Sequence, residues 1–547
     1  MLLLKFKRKD AKTQRRKDNL LKIFVPLRLC VLAFLLLFIS CASPPTDLRS
    51  FAPADTLVYL ETNDLGKALG ALTESKAFQD AAQAKPDFSA LQGMQTAIVV
   101  TGFEASENQV TAENSILNFK PRFVAIADTH TWNRYTLQFT EERLGNFVNE
   151  TYGGEVTLEA GEKNGGKSFV WTAKDGRKAF AFVKDSKIFF SNDESALEKS
   201  LAVFRGEAES LVKNESLGKM RETAKDALAF GYVSADGIAQ ISNLAGVSTA
   251  LASTDDDEGR SFIARVLPQI LRNSVKEIFW TATKTEQGIE DKYSVSLTPE
   301  NTSVLKETLV SAAPTPSNSA GFLPSEVFSA TRYNLQNPQI AWRSLLLVAG
   351  KNADAMSAKI LIAFSGSLLE PYGVTDAENF MSAVDSEIWT AVFDADGEKS
   401  VAIVGVKDAE KLKKSIAEIN FKVPGEKRET AEIWKSADGA SGAAFVENKL
   451  ILGDTESVLK CLQAKQNGQD FTKNPAWKKF SETNAVAVTY GKDSTEKAVA
   501  VLGEKKAENL QMLTVFTTET RFNSSGIERR TVSPFGLIGK ILEQFDD

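Results

Sequence analysis

Histidine and cysteine are nearly missing from this chain of 547 residues, which has one histidine, His130, and three cysteines. A single imidazole excludes a metal site built from several histidines, and it argues against a Ser-His or Cys-His catalytic pair. We therefore expect no metal site and no cofactor, and the chain is not predicted to be an enzyme.

The remaining composition lacks a bias toward any one residue class. The chain is 43% hydrophobic, 25% charged and 9% aromatic, which is ordinary for globular proteins. This composition excludes a disordered, a collagen-like and a multi-span membrane protein. At roughly 150 residues per domain, the length predicts two to four domains, each large enough to bury its own core.

The N-terminus has the pattern of a secretory signal peptide. Residues 1–28 contain ten basic and two acidic residues, and an uncharged apolar run of 12 residues follows at 29–40. This run is too short to span a bilayer, which takes about 20 apolar residues. A basic stretch, a short apolar core and a small residue at the cut are typical of export signals. We predict a signal peptide at 1–40.

The end of the apolar run resembles the lipobox of bacterial lipoproteins. Phe-Ile-Ser stands directly before Cys41, and Ala-Ser-Pro-Pro follows it. The resemblance implies that the Cys41 thiol is diacylated and becomes the mature N-terminus, with a lipid-anchored tether at 41–50. No acidic residue follows Cys41 directly, which resembles lipoproteins exported to the outer membrane. The alternative is an uncleaved signal anchor in which Cys41 is an incidental apolar residue.

Charge argues against nucleic acid as a partner. The whole chain has a formal net charge of −6 at pH 7, and removal of the basic residues 1–28 makes it more acidic. Such a surface repels nucleic acid and anionic lipid headgroups. With Cys41 acylated and Cys30 removed, Cys461 is the thiol that remains, so no disulfide within the chain is expected. Because Cys461 lies on the apolar side of a predicted helix, we expect a buried thiol.

The chain resembles itself at a distance of 263 residues. A tryptophan, an Asp-Gly pair and a Phe-Val pair recur in one order and at one spacing: Trp171, Asp175-Gly176 and Phe182-Val183, then Trp434, Asp438-Gly439 and Phe445-Val446. Such matches indicate an internal duplication, with chance similarity among hairpins as the alternative. We predict a first unit at 51–311, a linker at 312–320 and a second unit at 321–547.

Turn signals and apolar patterns indicate the fold class. Asn164-Gly165 and Asp175-Gly176 are two-residue turns between β-branched and aromatic stretches, which predict hairpins. Stretches with helical spacing lie between the strands. At the end of the chain, an apolar stripe of Ile538, Ile541, Leu542 and Phe545 predicts a docking helix, with a membrane-surface helix as the alternative. We expect an α+β fold of two tandem homologous units, each a largely antiparallel sheet with packed helices, after the signal peptide.

Residues 161–168 match the phosphate-binding loop G-x-x-x-x-G-K-S. That loop binds phosphate because its backbone amides and the N-terminus of a following helix face the anion. Here a strand-like stretch and a turn follow Lys167 instead of a helix. We predict a hairpin at 161–168, with phosphate binding as the alternative.

Two acidic clusters resemble parts of calcium sites. Residues 255–258 (Asp-Asp-Asp-Glu) offer enough oxygens for calcium but lack the alternating spacing of a calcium loop. Asp394 and Asp396 form only half of such a pattern. We expect a solvated loop at the first cluster and a turn at the second.

No nucleophile stands in a complete catalytic motif. Ser441 departs from the Gly-x-Ser-x-Gly elbow at its last position, and Ser216 with Lys219 forms an isolated Ser-x-x-Lys. His130 lies two residues after Asp128, and a surface or turn histidine is favoured over a general base. We therefore assign no catalytic residue.

The segment Pro-Ala-Asp-Thr-Leu-Val-Tyr at 53–59 leads into a predicted strand and helix. This opening resembles an uncharacterised family of bacterial exported proteins and lipoproteins. The resemblance extends over most of residues 51–535 as an overall sequence pattern. The resemblance implies an exported protein with this architecture. It brings no catalytic residues, because the family has none to transfer.

These observations favour a non-enzymatic, lipid-anchored protein of the bacterial cell envelope. We expect Cys41 to attach it to the outer membrane, on the periplasmic or the surface side, while its two units bind or scaffold another envelope component. One alternative is an extracytoplasmic solute-binding lipoprotein, because two lobes would suit a cleft. Another is a hydrolase without a recognisable motif.

Overall fold

The computed structural model describes residues 45–109, 115–252, 258–313, 318–365, 369, 372–417, 426–428, 430–494, 496–503 and 513–543. The predicted signal peptide at 1–40 and the predicted lipidation site Cys41 lie outside these residues. Leu48–Asp547 form one compact unit.

The described strands form one antiparallel sheet. They are β1 (Val58–Thr62), β2 (Gln95–Gln109), β3 (Ser115–Asp128), β4 (Thr157–Lys163), β5 (Gly166–Thr172), β6 (Lys178–Lys184), β7 (Lys187–Ser191), β8 (Ala229–Val233), β9 (Val275–Thr285), β10 (Gly288–Leu297), β11 (Ser329–Asn334), β12 (Val384–Val392), β13 (Ser400–Val406), β14 (Glu426–Arg428), β15 (Ala431–Lys435), β16 (Ser441–Val446), β17 (Lys449–Asp454), β18 (Ala487–Ser494), β19 (Leu513–Asn523) and β20 (Gly526–Ser533). The strands pair in the order β4-β5-β6-β7-β3-β2-β1-β8-β9-β10-β20-β19-β18-β11-β12-β13-β17-β16-β15-β14.

The two runs β1–β10 and β11–β20 follow the same path. In each, the fourth to seventh strands form a meander, and the third, second, first, eighth, ninth and tenth strands continue the sheet in that order. The predicted α+β class with a largely antiparallel sheet is confirmed. We call β1–β10 with their helices the first half and β11–β20 with theirs the second half.

The halves join at β10 and β20, the last strand of each. These strands pair antiparallel from Ile289 opposite Ser533 to Ser296 opposite Gly526. Among the strands that the structure describes, this ladder is the one that crosses between the halves. It makes the two half-sheets a single sheet.

Glycine starts both junction strands. Gly288 and Gly526 have φ of 130° and 137°. A Cβ on Gly288 would lie 2.4 Å from the carbonyl oxygen of Ser533, and one on Gly526 would lie 2.2 Å from that of Val295. At each of these hairpin turns the glycine lies so close to the backbone of the opposite half that no side chain would fit.

Helices connect the strands and cover the sheet. They are α1 (Leu65–Thr73), α2 (Lys76–Ala81), α3 (Asn133–Gln138), α4 (Gly145–Thr151), α5 (Glu194–Phe204), α6 (Glu215–Thr223), α7 (Ala235–Ala252), α8 (Glu258–Ser274), α9 (Pro299–Thr308), α10 (Pro338–Asn352), α11 (Ala355–Phe364), α12 (Ala377–Ala383), α13 (Ala409–Ala417), α14 (Thr455–Asn467), α15 (Trp477–Glu482), α16 (Glu496–Leu502) and α17 (Gly536–Leu542). A π-helical turn at Phe139–Leu144 joins α3 to α4. None of the helices described has both the length and the hydropathy to cross a membrane.

Side-chain caps explain where many helices begin. Asp193 accepts a hydrogen bond from the backbone N–H of Ala196 at the start of α5, and Asp454 does the same for Ser457 at the start of α14. Capping satisfies backbone donors that have no partner within the helix. The two helices follow equivalent hairpins, one in each half.

Each half has an aromatic core between its sheet and its helices. In the first half, Tyr59 and Phe189 are buried beside Leu197 of α5. In the second half, Trp389 stacks on Phe480 with ring centroids 5.3 Å apart. Burial of such rings is a main source of stability, because they remove a large apolar area from water.

The last helix of each half packs on the other half. Helix α9 contacts β19 and β20, where Leu305 shares a core with Ile527. Helix α17 contacts β9 and β10, and Phe535 just before it packs with Trp280 and Ile289. The docking helix predicted at the chain end is confirmed for Gly536–Leu542, and Phe545 of the predicted stripe lies outside the described residues.

Two short 3-10 helices begin the packed regions earlier than the sequence indicates. Leu48–Phe51 overlaps the end of the predicted tether at 41–50, and Leu48 is buried. Ser319–Phe322 overlaps the end of the predicted linker at 312–320, and its side chains enter the second core. Elements of four residues are too short to show a periodic pattern.

Candidate functional site

The phosphate-loop match at 161–168 is the turn of the β4–β5 hairpin. Asn164 and Gly165 have positive φ values of 52° and 73°, and Lys163 pairs with Gly166 across the turn. Ser168 donates its hydroxyl proton to the Gly161 carbonyl oxygen at 3.2 Å. Strand β5 continues from this turn, so no helix N-terminus faces it, and the predicted hairpin is confirmed.

His130 lies beside Asp128 in a turn after β3. Its φ is 51°, and its backbone N–H donates to Asp128 Oδ1 at 3.0 Å. The ring Nδ1 lies 3.7 Å from the same oxygen, while Nε2 lies 2.9 Å from Gln95 Oε1. Lys187 Nζ lies 3.6 Å from Asp128 Oδ2. The two ring nitrogens therefore face a carboxylate and an amide oxygen, and His130 lies in the turn after β3, where the sequence places a surface or turn histidine.

The flagged serines have structural partners. Ser216, at the start of α6, donates to Asn214 Oδ1 and to Glu277 Oε2, both at 2.8 Å. The backbone N–H of Ser441, the first residue of β16, donates to the Ser436 hydroxyl at 2.9 Å. The bond to Glu277 ties α6 to β9, and the Ser441 bond closes the turn between β15 and β16.

The remaining candidate residues, which are the acidic clusters and Cys461, have structural roles where the structure describes them. Asp394 accepts hydrogen bonds from the backbone of Gly397 and Lys399, which confirms the predicted turn. Cys461 is buried in the second core, and burial raises the pKa of its thiol, so the prediction of a buried thiol is confirmed. Residues 255–257 lie outside the described part. Within that part, no group of three or more His, Cys, Asp or Glu side chains could hold a metal ion.

A buried carboxyl joins the halves near α17. Asp291 of β10 accepts hydrogen bonds of 2.8 Å from Trp280 Nε1 and from the backbone N–H of Leu537. Burial raises the pKa of Asp291 to about 6, against the effect of these two bonds. Gly536 has a φ of 58°, and a Cβ there would lie 2.8 Å from Asp291 Oδ2. No local pattern in the sequence reveals this group, because Asp291 and Leu537 are 246 residues apart in the chain.

A groove lies at the junction of the halves, and we call it the junction groove. It consists of a cavity of about 470 Å³ and a neighbouring one of about 730 Å³. Gln287 and Val515 line both cavities. The first also contains Tyr490 and Phe516, with Lys479 among its polar lining residues. Cavities of this size, mainly apolar with a few polar groups, suit small organic molecules.

Helices α10 and α11 carry large apolar side chains that stay exposed among the described residues, and we call this region the α10–α11 surface. Helix α10 is mostly apolar in composition, yet the side chains that it buries are Pro338, Ala341, Ser344 and Val348. Large apolar side chains remain exposed on the two helices: Ile340 47%, Leu345 44%, Leu347 51%, Met356 73% and Ile362 61%. No side chain from Ala355 to Ile362 is buried. A helix with this composition is normally covered.

Local caps fix this surface in place. Asn337 accepts a hydrogen bond from the backbone N–H of Ile340 and begins α10. Asp354 accepts from the backbone N–H groups of Met356 and Ser357 and from the Ser357 hydroxyl, and these bonds, led by the hydroxyl, lower the pKa of Asp354 to about 2. These caps therefore fix where both helices begin. The run Leu-Leu-Leu-Val at 345–348, too apolar for one buried stripe, is the sequence signal that could have revealed this surface.

No family model and no curated protein matches this chain. Among solved structures, it is similar to crystal form I of TP0453, with 9% sequence identity and a TM-score of 0.22. The similarity covers 43% of this chain and 100% of that one. A TM-score this low carries no inference about fold or function.

Proposed function

We propose that this chain is a non-enzymatic, lipid-anchored protein of the bacterial cell envelope, attached at Cys41 and binding another envelope component. The observation that carries the binding role is the α10–α11 surface, where large apolar side chains are exposed. Exposed apolar patches of this kind mark interaction sites on proteins. The anchor is supported by the basic stretch, the short apolar run and Cys41 in the sequence.

We further propose that the protein arose by duplication, with homologous units at 51–311 and 321–547. The repeated motifs at a distance of 263 residues support this origin. The identical pairing order of β1–β10 and β11–β20 is a second, independent support. The two units meet through equivalent last strands.

A non-enzymatic role agrees with how the polar groups of the cores are used. Glu61 accepts hydrogen bonds from Tyr59 Oη at 2.7 Å and from Arg221 Nη2 at 3.1 Å. In the second half, Arg332 donates to Glu387 at 2.8 Å and to the Phe480 carbonyl oxygen at 2.6 Å. These groups link each sheet to its helices, which is a structural task.

The anchor is tested by mass spectrometry of the protein extracted from membranes of its host. The expected mass is that of a chain starting at Cys41 with acyl groups. A Cys41→Ser variant should stay unacylated and lose its membrane association. An unacylated chain that retains residues 1–40 would contradict the lipoprotein proposal.

The binding role is tested by a photo-crosslinking side chain placed at Met356 in living cells. We expect a discrete adduct with one envelope component, and we expect Ile362→Glu to abolish it. The matched control is the same side chain at Leu158, an exposed apolar position on the terminal strand β4. Equal adducts from both positions, or none from Met356, would reject the role of the surface.

Solute binding is a second candidate function, because the junction groove offers a mainly apolar volume that is open to solvent. A thermal-shift screen of small metabolites tests it, since a ligand that binds the native state raises its stability. The effect should vanish with Phe516→Ala and persist with Met356→Glu. If no metabolite of the panel raises the melting temperature, solute binding in the junction groove is rejected.

A further inference from the structure

The α10–α11 surface has the dimensions of a membrane-surface element. Helix α10 has 15 residues and α11 has 10, so neither can span a bilayer, which takes about 20. Helices that lie in the lipid interface combine exposed Leu, Ile or Met with basic residues at the same surface.

Basic residues border the surface in an otherwise acidic protein. Lys351 at the end of α10 and Lys359 in α11 are exposed, and so is Arg272 of the adjoining α8. Helix α8 is joined to this region because Asn273 donates to the Asn352 carbonyl oxygen at 2.7 Å. The chain as a whole has a net charge of −6. The basic border is therefore a local reversal of the overall charge.

The acidic residues near this surface are engaged in other contacts. Asp354 serves as the cap of α11. Glu378 forms an ion pair with Arg343 and accepts a hydrogen bond of 2.5 Å from Gln339. The Glu378 charge is thus offset by Arg343, whereas the Asp354 carboxylate stays ionised. The exposed Lys351, Lys359 and Arg272 outnumber this one carboxylate beside the apolar side chains. An anionic lipid surface complements both features, because headgroups attract the lysines while the acyl boundary accepts Leu, Ile and Met.

We propose that the α10–α11 surface docks on an anionic lipid surface, with Met356 and Ile362 entering the headgroup region. This inference rests on the proposed envelope function and names its binding partner. The acidic remainder of the chain is repelled by such a surface, so contact is confined to this face. The docking also orients the rest of the molecule away from the lipid.

The experiment places an environment-sensitive fluorophore at Met356→Cys in the full chain. The background carries Cys30→Ser and Cys41→Ala, and the remaining Cys461 is fully buried and does not react. We expect a blue shift and protection from an aqueous quencher on mixed phosphatidylcholine–phosphatidylglycerol vesicles. On phosphatidylcholine alone, both effects should be much smaller. Lys351→Glu with Lys359→Glu should abolish the shift, and Lys→Arg at both positions should retain it.

The matched control is the same fluorophore at Leu158→Cys on β4. The basic residues 1–28 can themselves hold the chain on anionic vesicles, so only a shift at Met356 without one at Leu158 supports docking. Equal shifts at both sites, or none at Met356, would overturn it. A blue shift that occurs without vesicles and grows with protein concentration would also overturn lipid docking. It would mean that a second copy of the chain covers the α10–α11 surface. Thermal melts of all variants verify that they fold.

Failure of this inference is distinct from failure of the proposed function. A discrete crosslink from Met356 to an envelope protein, together with no vesicle response, would leave the binding role standing and remove the lipid. A vesicle response in a chain that its host never acylates would support docking and reject the anchor at Cys41.

Discussion

Lys292 of β10 and Arg530 of β20 lie directly opposite each other at the junction of the halves, and each is the fifth residue of its strand. Like charges at such a pair repel. Glu528 separates them, with Oε2 3.1 Å from Lys292 Nζ and Oε1 accepting a bond of 2.9 Å from Arg530 Nε. Burial opposes ionisation of this carboxyl, but the two cations outweigh burial and lower the pKa of Glu528.

Replacement of Glu528 by Gln should weaken the junction. The two cations would then face each other without a compensating charge, and we expect a loss of about 1 kcal/mol in the free energy of unfolding. Urea denaturation measures it. In the double variant with Lys292→Gln, the repulsion is gone, so the total loss should be smaller than the sum of the single losses. Additive losses would show that Glu528 does not couple the two strands.

Asp291 should make stability depend on pH. Its pKa is raised from 3.8 to about 6 in the folded protein, so the native state binds a proton more tightly than the unfolded state does. The resulting stabilisation is complete below about pH 4 and is lost as the pH rises through about 6, to a limit of roughly 3 kcal/mol. Urea denaturation between pH 4 and pH 8, compared with Asp291→Ala, isolates this contribution. Two curves that run parallel over this range would contradict the assignment.

Gly288→Ala and Gly526→Ala should each destabilise the protein by about 2–4 kcal/mol, because a Cβ would collide with the backbone of the opposite half. Gly439→Ala is the matched control. Gly439 has a φ of 75° but open space around it, so only the backbone strain of about 1 kcal/mol is expected there. Denaturant unfolding of the three variants separates the close approach from the strain. Equal losses in all three would mean that the close approach contributes nothing.

The exposed side chains of the α10–α11 surface should be dispensable for folding. Met356→Glu and Ile362→Glu are expected to change the free energy of unfolding by about 0.5 kcal/mol or less, because neither side chain is buried. Val348→Asp, on the buried stripe of α10, should cost about 3 kcal/mol or more, because it buries an unpaired carboxylate. Thermal and urea unfolding give the comparison. A large loss in the first two variants would mean that another part of the chain covers them.

Local patterns in the sequence predicted local features well. Asn164-Gly165 marked a hairpin, and the apolar spacing around Cys461 marked a buried helix face, since both depend on a few neighbouring residues. The junction could not be predicted from local patterns. Ile289 and Ser533 pair across more than two hundred residues, and the periodicity of a strand does not indicate which other strand it pairs with. The α10–α11 surface was missed for another reason. An apolar run predicts burial, and here most of that run stays exposed.

The exchange of α9 and α17 has a consequence for how the chain can be divided. Each half lends its last helix to the other, so the two core clusters beside the junction are each built from side chains of both halves. The chain should therefore melt in one cooperative transition. A cut between residues 313 and 318 should yield two fragments that stay associated, and fragments produced separately should recover their structure only when mixed, as a split protein does.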